Sequence, residues 1–382
     1  MVGWVSKILL IGTSPISLIN FRKELIKSLI VNGHQVIVMV SKFTSTEVEN
    51  IKNLGVEYID YSVERNSLNP LADLKTLLNF IKVFTSENPD IVLAYTIKPV
   101  VWGGLASRLF KFNFYALITG LGFAFQGDSF KRKFLTKLVV FLYKAALKKS
   151  KAVIFQNTDN RDVFVSKGIV ELSKTHVVNG SGVDLEKYNV ENLPRGGIKF
   201  LCLSRLLGEK GLREYAEAAK IVKNKFPDVE FNLIGPEDSS PDAILLNEVD
   251  TWSDYINYKG STDDVRPYIK DSHVYVLPSY HEGLPRSTLE AMSMGRPVLT
   301  TNAVGCKETV EEGVNGFKVP VKSSEALAKK MIWFIENSDQ IERMGIESRE
   351  MAEDKFDVHK VNEEMLKIME IAWSVYLICY LM

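Results

Sequence analysis

Ile198-Lys199-Phe200-Leu201-Cys202-Leu203-Ser204-Arg205-Leu206-Leu207-Gly208-Glu209-Lys210-Gly211-Leu212 decides the fold. The run from Ile198 to Ser204 is nearly continuous in apolar residues, as a strand buried on both faces of a parallel sheet must be. A charged, glycine-containing loop follows, and then an amphipathic stretch predicts a helix over Leu212–Phe226. Working outward, strands are predicted at Glu230–Ile234, Ile256–Lys259, Val274–Leu277, Pro297–Thr300 and Phe317–Val319. Helices are predicted at Arg286–Met294, Ser324–Glu336, Ile341–Ala352 and Val358–Ala372. The same alternation runs through the first half. Strands are expected at Lys7–Gly12, Gln35–Val40, Val56–Tyr61, Ile91–Tyr95, Tyr115–Thr119, Val153–Gln156 and His176–Val178. Helices are expected near Phe21–Val31, Thr46–Leu54, Leu71–Phe84, Val100–Phe110 and Phe130–Lys149. Strand–helix alternation at this spacing gives open parallel sheets covered on both sides. The expected fold is therefore α/β, two doubly wound Rossmann-like domains facing a central cleft. Leu193-Pro194-Arg195-Gly196-Gly197 breaks any regular element and marks the link. The expected domains are 1–193, 194–355 and a C-terminal helix, 356–382, that returns to the first domain.

The chain has 382 residues, 46% hydrophobic and 25% charged, which excludes disordered and coiled-coil readings. Its 47 basic and 47 acidic residues argue against a general nucleic-acid binder. That balance hides a split: residues 1–190 carry 24 Lys/Arg against 15 Asp/Glu, and the remainder 23 against 32. The halves should face different partners. Cys202, Cys306 and Cys379 are far apart and odd in number, without a C-x-x-C pair, which fits a reduced cytoplasmic setting without zinc or disulfides. Met1 to Leu10 reads as the approach to a first strand, not as a cleavable leader. No apolar run reaches membrane-spanning length; the stretch 374–382 is half of it and reads as a packed or surface-dipping tail.

A ligand of such a fold belongs at the carboxyl ends of the strands. At the turn after Leu203, free backbone N–H groups and the following helix dipole favour an anion, and Arg205 and Lys210 add two cations. The loop is either a solvated basic turn or a cradle for a diphosphate held by charge-assisted hydrogen bonds; its place after the first strand favours the cradle. A second stretch, Ser279-Tyr280-His281-Glu282-Gly283-Leu284-Pro285-Arg286-Ser287-Thr288-Leu289-Glu290-Ala291-Met292-Ser293-Met294-Gly295, puts Glu282 in a strand-end loop and Glu290 inside a helix. Pro285 opens that helix and Gly295 closes it. Two carboxylates so placed could accept hydroxyl hydrogen bonds from two parts of one elongated ligand, although an exposed helix glutamate would read the same at Glu290.

Glu282 and Glu290, in a Glu-Gly-Leu-Pro…Glu-Ala-Met…Gly setting, resemble the signature of the retaining glycosyltransferases of family 4, which have the GT-B fold. Arg205…Lys210-Gly211, Asn179-Gly180-Ser181-Gly182-Val183-Asp184 and Gly313-Val314-Asn315-Gly316-Phe317 agree. Tyr95-Thr96-Ile97-Lys98-Pro99 and Ile118-Thr119-Gly120-Leu121-Gly122-Phe123 look most like enzymes that extend an undecaprenyl-diphosphate-linked sugar, as in N-acetylgalactosaminyl transfer. The resemblance implies a donor such as UDP-GalNAc and a lipid-linked saccharide acceptor in bacterial surface-glycan assembly. It assigns Arg205 and Lys210 to the donor diphosphate, Glu282 to the sugar with the N–H groups of Gly283 and Leu284, and Glu290 to the ribose. Lys259 and Val265 would lie near the base, with Gly235 ending the strand that lines the pocket. Gly12 would bring backbone close to the donor, and Ser14, Lys98, Thr119 and Gly120 would touch acceptor or sugar. Two features depart from the family. Gly12-Thr13-Ser14-Pro15 replaces a Gly-Gly pair, and Thr119 stands where a sugar-contacting His is usual.

With no Asp-x-Asp motif or His cluster, no metal or other cofactor is expected, and the two cations would stabilise the leaving diphosphate. Retention would then follow from same-face attack, the leaving phosphate taking the acceptor proton. Lys131, Arg132, Lys133, Lys137, Lys144, Lys148, Lys149 and Lys151 fall in one acid-free stretch interleaved with apolar residues. Such a helix either points its lysines to water or lies on anionic lipid, placing the enzyme at the inner face of the cytoplasmic membrane. Rival readings are a nucleotide-sugar 2-epimerase of the same fold and a non-enzymatic nucleotide-sugar binder. A nicotinamide-dependent dehydrogenase lacks its Gly-x-Gly-x-x-Gly in both halves.

Overall fold

The structure is a computed structural model that describes residues 5–63, 69–121, 125 and 130–371, without the side chains of Ser45 and residues 130–132. The apolar tail at 374–382, Cys379, and the side chains of Lys131 and Arg132 thus lie outside the described residues. The chain forms two compact units, one drawing on the chain up to Ser181 and from Val361 onward, the other spanning Gly182–Lys360.

In the first unit, strands β1 (Lys7–Ile11), β2 (Gln35–Val40), β3 (Glu57–Asp60), β4 (Ile91–Tyr95), β5 (Asn113–Ile118), β6 (Ala152–Phe155) and β7 (Thr175–Val177) form one parallel sheet. Its order is β3-β2-β1-β4-β5-β6-β7. Alternation along β1 sends Ile8 and Leu10 to one face and Leu9 and Ile11 to the other, so both faces carry a core. Helices α1 (Pro15–Val31) and α2 (Ser45–Lys52) cover the first face. Helices α3 (Pro70–Glu87), α4 (Ile97–Ser107), α5 (Phe130–Leu147) and α6 (Thr158–Ser166) cover the second. Helix α1 starts six residues before the expected Phe21, because Pro15 occupies its first turn after an extended Ser14. Helix α6, which the sequence reading omitted, begins where the Asn157 side chain accepts from the Asn160 N–H.

The second unit repeats the design with β8 (Lys199–Leu203), β9 (Glu230–Ile234), β10 (Asn257–Tyr258), β11 (Val274–Leu277), β12 (Val298–Thr301) and β13 (Gly316–Val319), in the order β10-β9-β8-β11-β12-β13. Phe200 and Cys202 face the side covered by α7 (Leu212–Lys223) and, after the short α8 (Leu246–Asp250) and α9 (Arg266–Lys270) and the longer α10 (Arg286–Ser293), by α11 (Ser324–Glu336). Leu201 and Leu203 face α9 and α10. Helix α12 (Gln340–Met351) runs through a π turn, Ala352–Phe356, into α13 (Val358–Ile368).

The expected boundary at 193/194 is displaced. The Val183 N–H donates to Phe356 O at 2.8 Å and the Val358 N–H to Val183 O at 3.0 Å, so the chain joins the second unit from Gly182. Past Lys360 it belongs to the first unit. Val361, Met365, Leu366 and Met369 are buried among Ile8, Leu10 and Leu18, and the Tyr115 hydroxyl donates to Met369 O at 3.0 Å.

Each sheet order reverses once, between β1 and β4 and between β8 and β11. Ligands of open α/β sheets bind outside the carboxyl ends of the strands at such a reversal. Gly12 and Thr96 follow the first pair; Arg205 and Ser279 to Glu282 follow the second.

Candidate active site

The second unit's reversal is built from two interlocked loops. After β8, Ser204 N–H donates to Ile234 O and Leu206 N–H to Pro236 O, so the chain leans on the end of β9 before turning. A 3-10 turn at Gly208–Lys210 leads into Gly211, which sits at φ +70° as the N-cap of α7. An added Cβ there would lie 2.1 Å from Pro278 O, so only glycine lets this loop rest against the one leaving β11. The contact is reinforced where Tyr280 N–H donates to Glu209 O at 2.9 Å. The Tyr280 hydroxyl donates to Glu214 Oε1 of α7 at 2.6 Å, pinning the second loop to the helix that follows the first. Burial, reinforced by Glu214, raises the Tyr280 hydroxyl well above the ordinary phenol range, so it stays a donor at neutral pH.

Interlocking puts Lys210 Nζ 2.5 Å from Glu282 Oε1, both side chains largely buried. Glu282 is further held by its own N–H donating to Val304 O. Arg205, on the same loop as Lys210, pairs with Asp238 in the loop after β9. Burial alone would raise the Asp238 carboxyl, but hydrogen bonds from Ser240 and the Arg205 guanidinium outweigh it and hold it below the usual range.

Glu290 lies in the second turn of α10, is 8% exposed, and accepts from Arg286 Nε at 2.9 Å. Its helix is docked to the end of β8 by Tyr275, whose hydroxyl is 2.6 Å from Ser287 Oγ and 3.3 Å from Leu203 O. The Gly235 N–H donates to Gly260 O and the Tyr258 hydroxyl to Gly235 O, so the β9 and β10 ends form one hydrogen-bonded edge. Lys259 is exposed on that edge, and Val265 is half-buried as the N-cap of α9. Gly283 and Leu284 complete the turn between Glu282 and α10, with Leu284 packed on the core.

The structure thus joins Lys210 to Glu282 directly and sets Arg205, Gly235 and Glu290 at the same sheet edge. It also shows four residues the sequence reading did not single out: Asp238, Glu214, Tyr280 and Arg286. For Asp238 a signal was present, an acid in the strand-end loop Gly235-Pro236-Glu237-Asp238 beside the strand that precedes the arginine. Nothing local in the sequence pairs Tyr280 with Glu214.

In the first unit, the Tyr95 ring packs against Gly12 so closely that a Cβ at Gly12 would lie 2.2 Å from it, and Tyr61 donates to Gly12 O at 2.7 Å. The space on the Cβ side of Gly12 is therefore filled by Tyr95. Arg22, buried in α1, lies 5.5 Å over the Tyr95 ring. Burial pushes the Tyr95 hydroxyl up to about 12, against the opposing pull of Arg22. Thr96 adopts φ +68°, a strained conformation for a β-branched residue, and its Oγ1 lies 3.4 Å from Thr13 Oγ1. Ser14 stands at the N-cap position of α1 without a side-chain capping bond, and Thr119 and Gly120 are half-buried directly after β5. Lys98 is held at 2.8 Å by Asp73 of α3, so its charge is already matched within the unit.

Two family models match the chain: "Glycosyl transferase 4-like" over residues 7–157 and "Glycosyl transferases group 1" over residues 197–337. The chain belongs to these glycosyltransferases. It is 27% identical over 374 residues to the Campylobacter jejuni N,N'-diacetylbacillosaminyl-diphospho-undecaprenol alpha-1,3-N-acetylgalactosaminyltransferase, covering 93% of this chain and 96% of that one. It is also 27% identical to the Escherichia coli UDP-Gal:alpha-D-GlcNAc-diphosphoundecaprenol alpha-1,3-galactosyltransferase, covering 72% and 76%. Among solved structures, the Thermosynechococcus elongatus sucrose-phosphate synthase superposes with a TM-score of 0.80 at 18% identity, covering 96% and 98%. Anabaena HepE in complex with UDP and glucose superposes with a TM-score of 0.77, also at 18%, covering 96% and 99%. These structural likenesses establish the GT-B fold of this glycosyltransferase.

Proposed function

We propose that this glycosyltransferase moves a hexose or N-acetylhexosamine from a nucleoside-diphosphate sugar, UDP-GalNAc or UDP-Gal foremost, to a lipid-linked saccharide. The Lys210–Glu282 contact carries the reading: it sets a cation for the leaving diphosphate beside a carboxylate for the sugar hydroxyls. Arg205 is the second diphosphate ligand, Glu290 accepts from the ribose, and Gly235, Lys259 and Val265 border the base. Ser14, Thr119 and Gly120, with Lys98 held by Asp73, line the acceptor side. The sugar and acceptor choice rests on the two relatives, named for α-1,3 transfers of GalNAc and Gal to diphospho-undecaprenol-linked sugars.

The bond from the anomeric carbon to the leaving phosphate oxygen breaks as that from the acceptor oxygen forms on the same face. The leaving phosphate takes the acceptor proton, so an α-linked donor gives an α-linked product. Arg205, Lys210 and the start of α7 stabilise the charge as it develops. No metal is assigned a role.

The acceptor's lipid places the enzyme at the inner face of the cytoplasmic membrane as a peripheral protein. Among the described residues no helix is long and apolar enough to cross a membrane. Lys133, Lys137 and Lys144 are exposed on α5, ready to meet anionic lipid.

Release of nucleoside diphosphate is the deciding measurement. It should require the lipid-linked acceptor and yield an α-linked product by NMR. Acceptor-independent conversion of the donor would indicate an epimerase, and binding without turnover a sensor. Because Arg205 must leave Asp238 to meet a diphosphate, Asp238→Asn should tighten UDP binding by up to about fivefold, the worth of a partly exposed ion pair. Calorimetry giving equal or weaker affinity would remove Asp238 as a competitor.

A further inference from the structure

We propose that the outer face of the α3–α4–α5 layer is a bilayer-docking platform, in which leucine and phenylalanine side chains enter an anionic membrane and lysines grip its headgroups. The proposal rests on the lipid-linked acceptor above and adds to α5's cations an apolar surface that spans three helices. On α3, Leu71, Leu74 and Leu78 recur at helical spacing and are exposed, Leu71 at 77%. On α5, Phe134, Leu138 and Phe141 do the same, both rings about two-thirds exposed (69% and 67%). Helix α4 packs between α3 and α5, and the turn after it exposes Leu109 at 70%. Leu77, Ile81 and Leu105 line an open furrow of about 430 Å3 between α3 and α4, with Arg108 and Lys149 at its rim. Scattered single apolar residues on a surface need no explanation, but apolar residues exposed at helical spacing on two helices of one layer and interleaved with cations mark an interaction site.

Charge selects the occupant. Lys75 and Lys82 are exposed on α3, and Lys133, Lys137, Lys144 and Lys148 on α5. Asp73 and Glu87, the acids of α3, are held by Lys98 and Lys7, and α4 and α5 contain none. A second copy of this chain docked by the same face would set cations against cations, whereas an anionic leaflet complements them. The first turns of α3 and α5 stand at the carboxyl edge of their sheet, the edge that carries Gly12 and Thr96. A platform there holds the lipid end of an acceptor near the unit that receives it.

Co-sedimentation of the full chain with phosphatidylglycerol/phosphatidylethanolamine vesicles tests this, with phosphatidylcholine vesicles as the neutral control. At about 0.1 M salt, Lys133→Gln with Lys137→Gln and Lys144→Gln should weaken binding about 100-fold, each cation near the surface contributing about fivefold. A salt-resistant fraction should persist near 1 M salt for the wild type. It should be lost in Leu74→Ser/Leu78→Ser and in Phe134→Ser/Phe141→Ser. Those serine variants should retain wild-type melting and full turnover of a water-soluble, short-prenyl diphosphate saccharide, while losing turnover of acceptor embedded in vesicles. Sedimentation does not depend on chemistry, so a failed transferase assignment leaves the lipid result readable. The platform is overturned if the wild type ignores anionic vesicles or if the serine variants keep the salt-resistant fraction. It is equally overturned if the wild type is a dimer that those variants dissociate.

Discussion

Lys210→Met should lower kcat about 100- to 1,000-fold, the effect of losing one preorganised group aimed at developing charge in a water-poor site. The side chain is largely buried and its ammonium is 2.5 Å from Glu282, so it cannot be replaced by a mobile surface cation. Methionine keeps the length and apolar stem but leaves the Glu282 carboxylate without its cation. Two effects then combine: weaker stabilisation of the departing diphosphate and a carboxylate freed from its fixed rotamer. UDP affinity should fall with kcat, since the proposed role puts Lys210 on the diphosphate in product as well as in the transition state. Unchanged kcat with a raised KM would confine Lys210 to ground-state binding and dismiss its assistance to departure.

Glu282→Gln should reduce kcat by two to three orders of magnitude while UDP binds at least as tightly as to the wild type. Glutamine accepts with one oxygen only and carries no charge, so sugar hydroxyls lose a charge-assisted acceptor. At the same time Lys210 loses its internal counter-ion and becomes wholly available to phosphate. The sign of the UDP effect separates this site from one in which Glu282 merely supports the loop, because a collapsed loop would weaken UDP. The double variant Lys210→Met/Glu282→Gln should be far less impaired than the product of the two single losses, since each single change damages the same pair. Full additivity in turnover would mean that the two residues act apart.

Much of this architecture was legible because buried parallel strands write themselves as apolar runs. All thirteen expected strands coincide with described ones to within about two residues at each end. Arg205, Lys210 and Glu282 were legible as strand-end loop residues and Glu290 as a residue inside the helix that follows, and these loops and this helix do meet where the β8–β11 reversal falls. Less was readable where a tertiary contact overrides local pattern. The Gly182–Val183 hydrogen-bonded junction with Phe356 and Val358 moved the unit boundary, although Pro194 and the Gly196-Gly197 pair make the stronger local break. Helices α8 and α9, five residues each, are too short for a periodic signal. The pairing of Arg205 with Asp238 and of Tyr280 with Glu214 joins residues 33 and 66 positions apart, which no local pattern encodes. The apolar side of α5 was visible as composition, but a helix's composition does not tell which residues are left facing outward once it has packed.

The two carboxylates facing Arg205 and Lys210 have a kinetic corollary. Arg205 and Lys210 are each neutralised at short range before any nucleotide arrives, so these two cations present almost no net charge to an approaching ligand. A sugar nucleotide is then captured by ordinary diffusion followed by an exchange of counter-ions, with little dependence of its arrival rate on ionic strength.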